Sequence, residues 1–292
     1  MEIPLDLART LSAVVSAGSL DAAAVSMNIT PSAVSQRVKT LETRVGRVLL
    51  VRSKPVRPTA AGEAVLRLAR QLAALEQDAL ASLGLTSKGP AEVPLAVNAD
   101  SLATWFLPAL APLAGEIVFD LYRDDQDYTA GLLESGTVSA AVTSQDQPVS
   151  GCSVRPLGAM RYLAAAAPRF VETWFRDGVT ADGFARAPVV DFDRRDDLQT
   201  RYLTILGVDP GPAPRHHVPA SHDFTQAVLL GMGWGLIPEQ QAGHALTQGR
   251  LVPLGGPPLD VRLYWQRWKL SSALLTRIEE SVVSVARSSL RT

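Results

Sequence analysis

Apolar residues in the first sixty positions recur at helical spacing. Leu7, Leu11, Val14 and Val15 mark a helix over 5–17 that stops at Gly18. Ser19 can cap a second helix through Ala22, Ala23, Ala24 and Val25, ending near Met27-Asn28. A third begins at Thr30, a good N-cap, with Pro31 at the first helical position, where a missing N–H costs nothing. Val34, Val38, Leu41 and Val45 follow at steps of four, three and four, so they share an apolar face. Ser32, Ser35, Gln36 and Lys39 share another face that is short, polar and rich in donors. The break Met27-Asn28-Ile29 between helices two and three is a helix-turn-helix signature. After Gly46, Val48-Leu49-Leu50-Val51 reads as a strand and 52–58 as a proline-stiffened basic loop, a wing.

Thr59 opens a longer helical pattern reaching about residue 83. Leu68, Leu72, Leu75 and Ala79 form a heptad seam along it, which predicts a dimer. Ser87-Lys88-Gly89-Pro90 breaks the pattern and marks a domain boundary. Beyond it strands and helices alternate. Strands are expected at 92–98, 116–122, 138–143, 152–157, 160–166, 188–192, 215–219, 234–237, 250–254 and 260–268. Helices are expected near 101–113, 127–135, 168–177, 195–206, 221–231, 239–247 and 271–289. Such alternation predicts an α/β fold with mainly parallel sheets, which bind ligands at the carboxyl ends of strands.

Charge sharpens this division. The chain has 292 residues and a net charge of −1, but its first 60 residues carry eight Lys/Arg against four Asp/Glu. Of 28 basic and 29 acidic residues, 20 and 25 are left for the rest. A basic head on an acidic body suggests that the head alone meets DNA. The polar helix face suits the major groove, with Ser32, Ala33, Ser35, Gln36, Arg37 and Lys39 as candidate DNA contacts. Arg52, Lys54 and Arg57 of the wing are expected on phosphates or in the minor groove.

Cys152 is the single cysteine, so no internal disulfide or CxxC metal site exists. No signal peptide or membrane-length apolar run is visible, so a soluble, cytoplasmic protein is expected. His216 and His217, adjacent in a strand, point to opposite faces and make a poor metal pair. Gly231-Met232-Gly233-Trp234-Gly235 follows a helix rather than a strand, the wrong context for a phosphate loop. No nucleophile elbow is present. The expectation is no enzyme, no metal and no cofactor.

Gly18-Ser19, Ala22-Ala23, Thr30-Pro31-Ser32-Ala33-Val34-Ser35, Leu41-Glu42, Gly46, Leu49, Arg52 and Thr59-Ala60-Ala61-Gly62 together resemble the N-terminal signature of LysR-type transcriptional regulators. Leu50 departs from it, since the family usually has Phe there, a change under the wing rather than in the DNA chemistry. The resemblance implies an N-terminal all-α winged helix-turn-helix (1–58), a linker and dimerisation helix (59–89) and an α/β effector domain (90–292). That domain resembles a periplasmic binding protein, with subdomain I at about 90–164 and 259–292 and subdomain II at about 165–258. Partners so implied are double-stranded promoter DNA, RNA polymerase, a small-molecule effector and a second copy, as homodimer or homotetramer.

Val97-Asn98-Ala99-Asp100-Ser101-Leu102-Ala103-Thr104-Trp105-Phe106, Asp124-Asp125-Gln126-Asp127, Gly158-Ala159-Met160-Arg161-Tyr162-Leu163 and Tyr264-Trp265-Gln266-Arg267-Trp268 are similar to the ArgP/LysG branch. Regulators of that branch sense lysine, arginine and sometimes histidine, and switch on export of basic amino acids. The resemblance therefore implies a basic L-amino acid as effector. Alternatives are a regulator of another small-molecule pathway and an origin or nucleoid DNA-binding protein without transcriptional output.

An amino-acid site needs donors for a carboxylate, acceptors for an ammonium, and an acid at the far end for a basic side chain. Ser101, with Asp100 before it, follows strand 92–98 and opens a helix whose hydroxyl and backbone N–H groups could hold the carboxylate. Asp124 or Asp125 could meet the side chain, and Thr143 ends strand 138–143 at the rim. Trp105 and Tyr162 could flank an aliphatic stem or a cation. His222 and Asp223 begin helix 221–231 and could rim the same place.

Overall fold

The computed structural model describes residues 2–51, 53–85, 90–123, 129–211 and 213–292. They form two compact units. The first holds Met1–Val97, Leu113–Arg155 and Trp265–Glu280; the second holds Asn98–Pro112, Pro156–Tyr264 and Ser281–Thr292.

The first unit begins with α1 (Leu5–Ala17), α2 (Leu20–Ser26) and α3 (Pro31–Val45). Their apolar stripes meet in one core, where Leu11, Val14, Ala23, Val34 and Leu41 are buried with Leu49, Val65 and Leu66. Caps set the breaks. Ser19 Oγ accepts from the N–H of Ala22 and Thr30 Oγ1 from the N–H of Ala33, each satisfying an orphan donor. Asn28, between α2 and α3, has φ 52°, a left-handed value that asparagine tolerates better than most residues. β1 (Leu50–Val51) pairs antiparallel with β2 (Arg57–Pro58) to make the wing. The strand expected from Val48 begins only at Leu50, and Val48 itself is exposed.

α4 (Ala60–Ser82) follows at once. Its start is fastened to the wing: Thr59 donates its N–H to Leu49 O and its hydroxyl to Val48 O. Gly62 lies so close that a Cβ there would sit 2.1 Å from Leu49 O. Further along, Arg70 donates to Gly136 O at 2.8 Å. Leu68 and Leu72 are half-buried, while Leu75 and Ala79 are exposed. Residues 87–89 of the expected boundary lie outside the described residues. β3 (Ala91–Val97) then pairs parallel with β4 (Ile117–Arg123) and β5 (Ala140–Thr143).

The second unit opens with a helical segment from Ala99 to Leu110 that passes through a π-helical stretch, Leu102–Phe106. β6 (Cys152–Ala166) is one strand where two were expected; Gly158, at φ 128°, carries it through the Pro156 region without a break. β7 (Val189–Asp191) pairs parallel with β8 (Arg215–His217). β6 pairs antiparallel with β9 (Gly235–Pro238) and with β10 (Val252–Pro253). The parallel pairings of β3 with β4 and β5 and of β7 with β8 are as expected; β6 adds two antiparallel neighbours, β9 and β10, that the alternation of elements did not indicate. β11 (Leu259–Trp268), like β6, has residues in both units. A helix not expected, Ala181–Arg186, is capped by Thr180 Oγ1 accepting from the Gly183 N–H.

Candidate functional site

The head presents two groups of side chains to solvent. On α3, Ser32, Ser35, Gln36 and Lys39 are exposed, Ala33 and Arg37 are half-buried, and Val34, Val38 and Leu41 are buried. The split follows from the four-three-four spacing of the apolar positions, which fixes which face must turn inward. Lys54 and Arg57 of the wing are exposed; Arg52 lies outside the described residues. The wing is tied back by the Val56 N–H, which donates to Gly18 O at 2.9 Å. A helix of this width with small polar side chains outward fits a major groove, and exposed cations on a neighbouring loop fit phosphates.

The second unit holds a different chemistry. Asn98, not Ser101, caps the helix after β3: its Oδ1 accepts the Ser101 N–H at 3.1 Å. That N–H is therefore not free for a ligand carboxylate, as the sequence reading had it. The Ser101 hydroxyl is fully buried and has no hydrogen-bond partner among the described residues. Beside it, Asp100 accepts from the Tyr162 hydroxyl at 2.7 Å. Ser221 also bonds Asp100, and the Ser221 oxygen accepts from Gln241 Nε2 at 2.8 Å. Thr225 donates to Gln241 Oε1 at 2.5 Å. One chain of hydrogen bonds thus links the 99–101 turn, β6 and the helices Ser221–Leu229 and Glu239–Thr247.

Two more carboxylates lie in this region. Asp191 ends β7, is 2% exposed, and binds Arg215 through Oδ2 at 2.7 Å, while Oδ1 has no partner among the described residues. Gln199 donates to Val190 O at 2.8 Å, leaving its own buried Oε1 unpartnered. Asp196 accepts two backbone N–H groups, from Phe192 and Leu198, each at 3.0 Å. Loss of hydration raises the Asp100 carboxyl above its usual range, and the Ser221 and Tyr162 hydroxyls pull it part of the way back. Burial likewise raises Asp191 against the pull of Arg215. Asp196 is raised to about 6, first by burial and then by the charges of Asp191 and Asp100, against the two N–H groups. Burial, then Asp100 and Asp196, holds the Tyr162 hydroxyl well above its usual value. Three carboxyls here face a single guanidinium, that of Arg215, which is paired with Asp191.

The other expected effector residues are placed as follows. Trp105 is 2% exposed and packs edge-on against Phe106, with ring centroids 5.7 Å apart. Thr143 is buried in the first unit, where its Oγ1 accepts from the Gln145 N–H. Asp124 and Asp125 lie outside the described residues. His222 and Asp223 point outward, exposed, while Ser221 and Thr225 of the same helix face inward. Sequence reasoning missed Ser221, Asp191, Asp196, Gln199, Arg215 and Gln241. A signal existed at one place: Ser221 and Thr225, four apart, fall on the face shared with Phe224 and Val228.

Cys152 is buried, and that burial pushes its thiol up to about 11, so it is no nucleophile at neutral pH. Among the described residues no cluster of His, Cys, Asp or Glu could hold a metal ion. No described helix is long and apolar enough to cross a membrane.

A winged helix-turn-helix followed by a long helix and an α/β body with a polar buried site defines a ligand-responsive bacterial DNA-binding regulator. The chain belongs to the LysR family: the bacterial regulatory helix-turn-helix family of LysR type matches residues 5–63, and the LysR substrate binding domain matches residues 91–285. It is 46% identical over 277 residues to the HTH-type transcriptional regulator LysG of Mycobacterium tuberculosis strain H37Rv, covering 94% of this chain and 91% of that protein. The crystal structure of ArgP from Mycobacterium tuberculosis superposes with a TM-score of 0.89 at 44% identity, covering 98% of each chain. The lysine export transcriptional regulatory protein LysG of Corynebacterium glutamicum is 42% identical over 289 residues, covering 97% of each chain. Its full-length structure with bound effector Arg has a TM-score of 0.80 at 38% identity, covering 99% of this chain and 100% of that one. The chain is a LysR-type, DNA-binding transcriptional regulator.

Proposed function

We propose that this regulator responds to a basic amino acid, received by the second unit at Asp100, Ser101, Tyr162, Asp191, Asp196 and Ser221. The observation that carries the reading is the excess of carboxyls over cations there: Asp100, Asp191 and Asp196 against Arg215. An ammonium or guanidinium supplies the missing charge and the missing donors for Asp191 Oδ1 and Gln199 Oε1. The arginine bound to the Corynebacterium glutamicum LysG supports this choice of ligand. Asp124, Asp125 and Thr143 are further candidates for the ligand's far end on sequence grounds. The target gene is a basic amino-acid exporter, in line with the name of that relative.

Promoter contact runs through Ser32, Ala33, Ser35, Gln36, Arg37 and Lys39, with Arg52, Lys54 and Arg57 on the backbone. The protein works in the cytoplasm as a homodimer or homotetramer with RNA polymerase as its downstream partner, and is not an enzyme. The exposed Leu75 and Ala79 end of the α4 seam favours pairing with a second copy. Ligand acts by binding one arrangement of the protein more tightly than another. Calorimetric titration of lysine, arginine and histidine into wild type, Asp100→Ala and Ser101→Ala tests the site; equal affinities in all three proteins would reject it. A promoter fragment whose binding ignores all three amino acids would reject the response itself.

A further inference from the structure

We infer that Arg291 is a positioning residue for the effector site: it fastens β6, which carries Tyr162, to the helix Glu239–Thr247, which carries Gln241, and so sets effector affinity from outside the site. The inference rests on the effector reading above and adds a determinant of its affinity. All the residues concerned belong to the second unit.

The segment after the helix Ala273–Ser289 lies against β6. The Ala159 N–H donates to Arg291 O at 2.7 Å, and the Arg291 N–H donates to Ala159 O at 2.9 Å, an antiparallel bridge on the strand of Tyr162. The strand is shaped to receive it. A Cβ on Gly158 would lie 2.7 Å from Arg291 O and 3.0 Å from Leu290 Cβ, so a side chain there would push the segment away. The Arg291 side chain turns to the helix instead. Its Nη2 donates to both oxygens of Glu239, each at 2.7 Å, and its Nε donates to Oε2 at 3.1 Å. Gln240 Nε2 donates to Ser289 O at 2.7 Å. The first two residues of the helix are thus held, and the next is Gln241, which donates to the Ser221 oxygen and accepts from Thr225. Pro238, just before the helix, is the register partner of Tyr162.

Both hydroxyls on Asp100, those of Tyr162 and Ser221, therefore trace back to Arg291, one through its backbone and one through its guanidinium. Without the fork to Glu239 the start of the helix is free to take other arrangements. Only the fraction with Gln241 aimed at Ser221 binds at full strength, and apparent affinity falls by that fraction. The ion pair is half-exposed, with side chains 53% and 37% accessible, so it adds little to stability and its loss leaves the unit folded.

The full chain is titrated calorimetrically with arginine. Arg291→Ala should weaken binding about threefold, the modest effect a half-exposed ion pair can deliver. Glu239→Gln should weaken it by a similar factor. These two substitutions change the net charge in opposite directions, so attraction of a cationic ligand by charge alone would move affinity in opposite senses. Acting through one fork, they move it alike, and the double variant loses about threefold rather than about ninefold. Arg291→Lys, which keeps the charge without the fork, should lose most of the same factor and carries the test with Glu239→Gln if Arg291→Ala does not fold. Arg186→Ala, which breaks the exposed pair with Asp182 in the same unit, should bind as wild type does. Arginine binding by Arg291→Ala as tight as wild type or tighter, or additive losses in the double variant, would overturn the positioning role; if Asp100→Ala still binds weakly, the effector site survives that result. Wild type that binds no arginine would overturn the effector reading, and this inference with it.

Discussion

The Tyr162 hydroxyl donates to Oδ2 of Asp100 at 2.7 Å, tying the middle of a long strand to the first turn of a helix 62 residues earlier in the chain. Both groups have lost their hydration, so each depends on the other. Tyr162→Phe leaves Asp100 with Ser221 as its donor. Loss of one such bond costs about 1 kcal/mol, and arginine affinity should fall roughly fivefold. Calorimetry checks it; an unchanged dissociation constant would detach Tyr162 from the site.

The raised carboxyl of Asp196 makes a prediction about stability in the absence of any amino acid. Its folded value, about 6, stands above the ordinary 3.8, so between these values the folded chain binds more protons than the unfolded one. Stability from this group is present below about pH 4 and is lost as pH rises through 6. The depressed carboxyls Asp193, Asp260 and Glu279 act at lower pH and do not compete in this window. With Asp196 only partly withdrawn from water, the loss is of the order of 1–3 kcal/mol. The melting temperature should drop by a few degrees from pH 5 to pH 7. Asp196→Asn should reduce the slope to the part owed to the other raised carboxyls, Asp100 and Asp191.

Gly62 predicts the rigidity of the join between wing and α4. With Leu49 O only 2.1 Å from where a Cβ would lie, Gly62→Ala forces the backbone apart. A loss of about 1–3 kcal/mol is expected, read as a lower melting temperature of the head. Gly46→Ala, with nothing within 4 Å, meets only the strain of its positive φ of 71° and serves as the comparison.

On α3, Gln36 and Lys39 are both exposed but differ in chemistry. Gln36→Ala should weaken promoter binding by about 1–3 kcal/mol and relax base preference at one position. Lys39→Ala should weaken all sequences alike and reduce the slope of log affinity against log salt by about 1. Competition binding at several salt concentrations separates the two outcomes.

How much of this was legible in the chain divides by distance along it. The head could be read almost residue by residue, since caps at Ser19 and Thr30, the break at Met27-Asn28-Ile29 and the stripe Val34, Val38, Leu41 are all local signals, while the left-handed φ of Asn28 itself came only with the structure. The strands of the body were found by their apolar runs, but the direction of β6 against β9 and β10 was not, because pairing direction is a property of connection and not of composition. The acidic site was half visible. Asp100, Ser101 and Tyr162 fall inside a recognisable motif, whereas Asp191, Asp196 and Arg215 are scattered polar residues whose meeting only the fold creates. His222 and Asp223 drew notice by their chemistry, yet the helix turns them outward and gives the inward place to Ser221, a residue with no distinction except its phase.

The close approach of Gly62 to Leu49 has a mechanical reading. With no slack between the wing's root and the first turn of α4, the DNA-reading head behaves as the tip of a lever whose shaft is 23 residues, about 35 Å, long. A small tilt imposed at the far end near Ser82 is delivered to Gln36 with little play at the join, so the angle at which the tip addresses a duplex is decided remotely, by whatever grips the shaft.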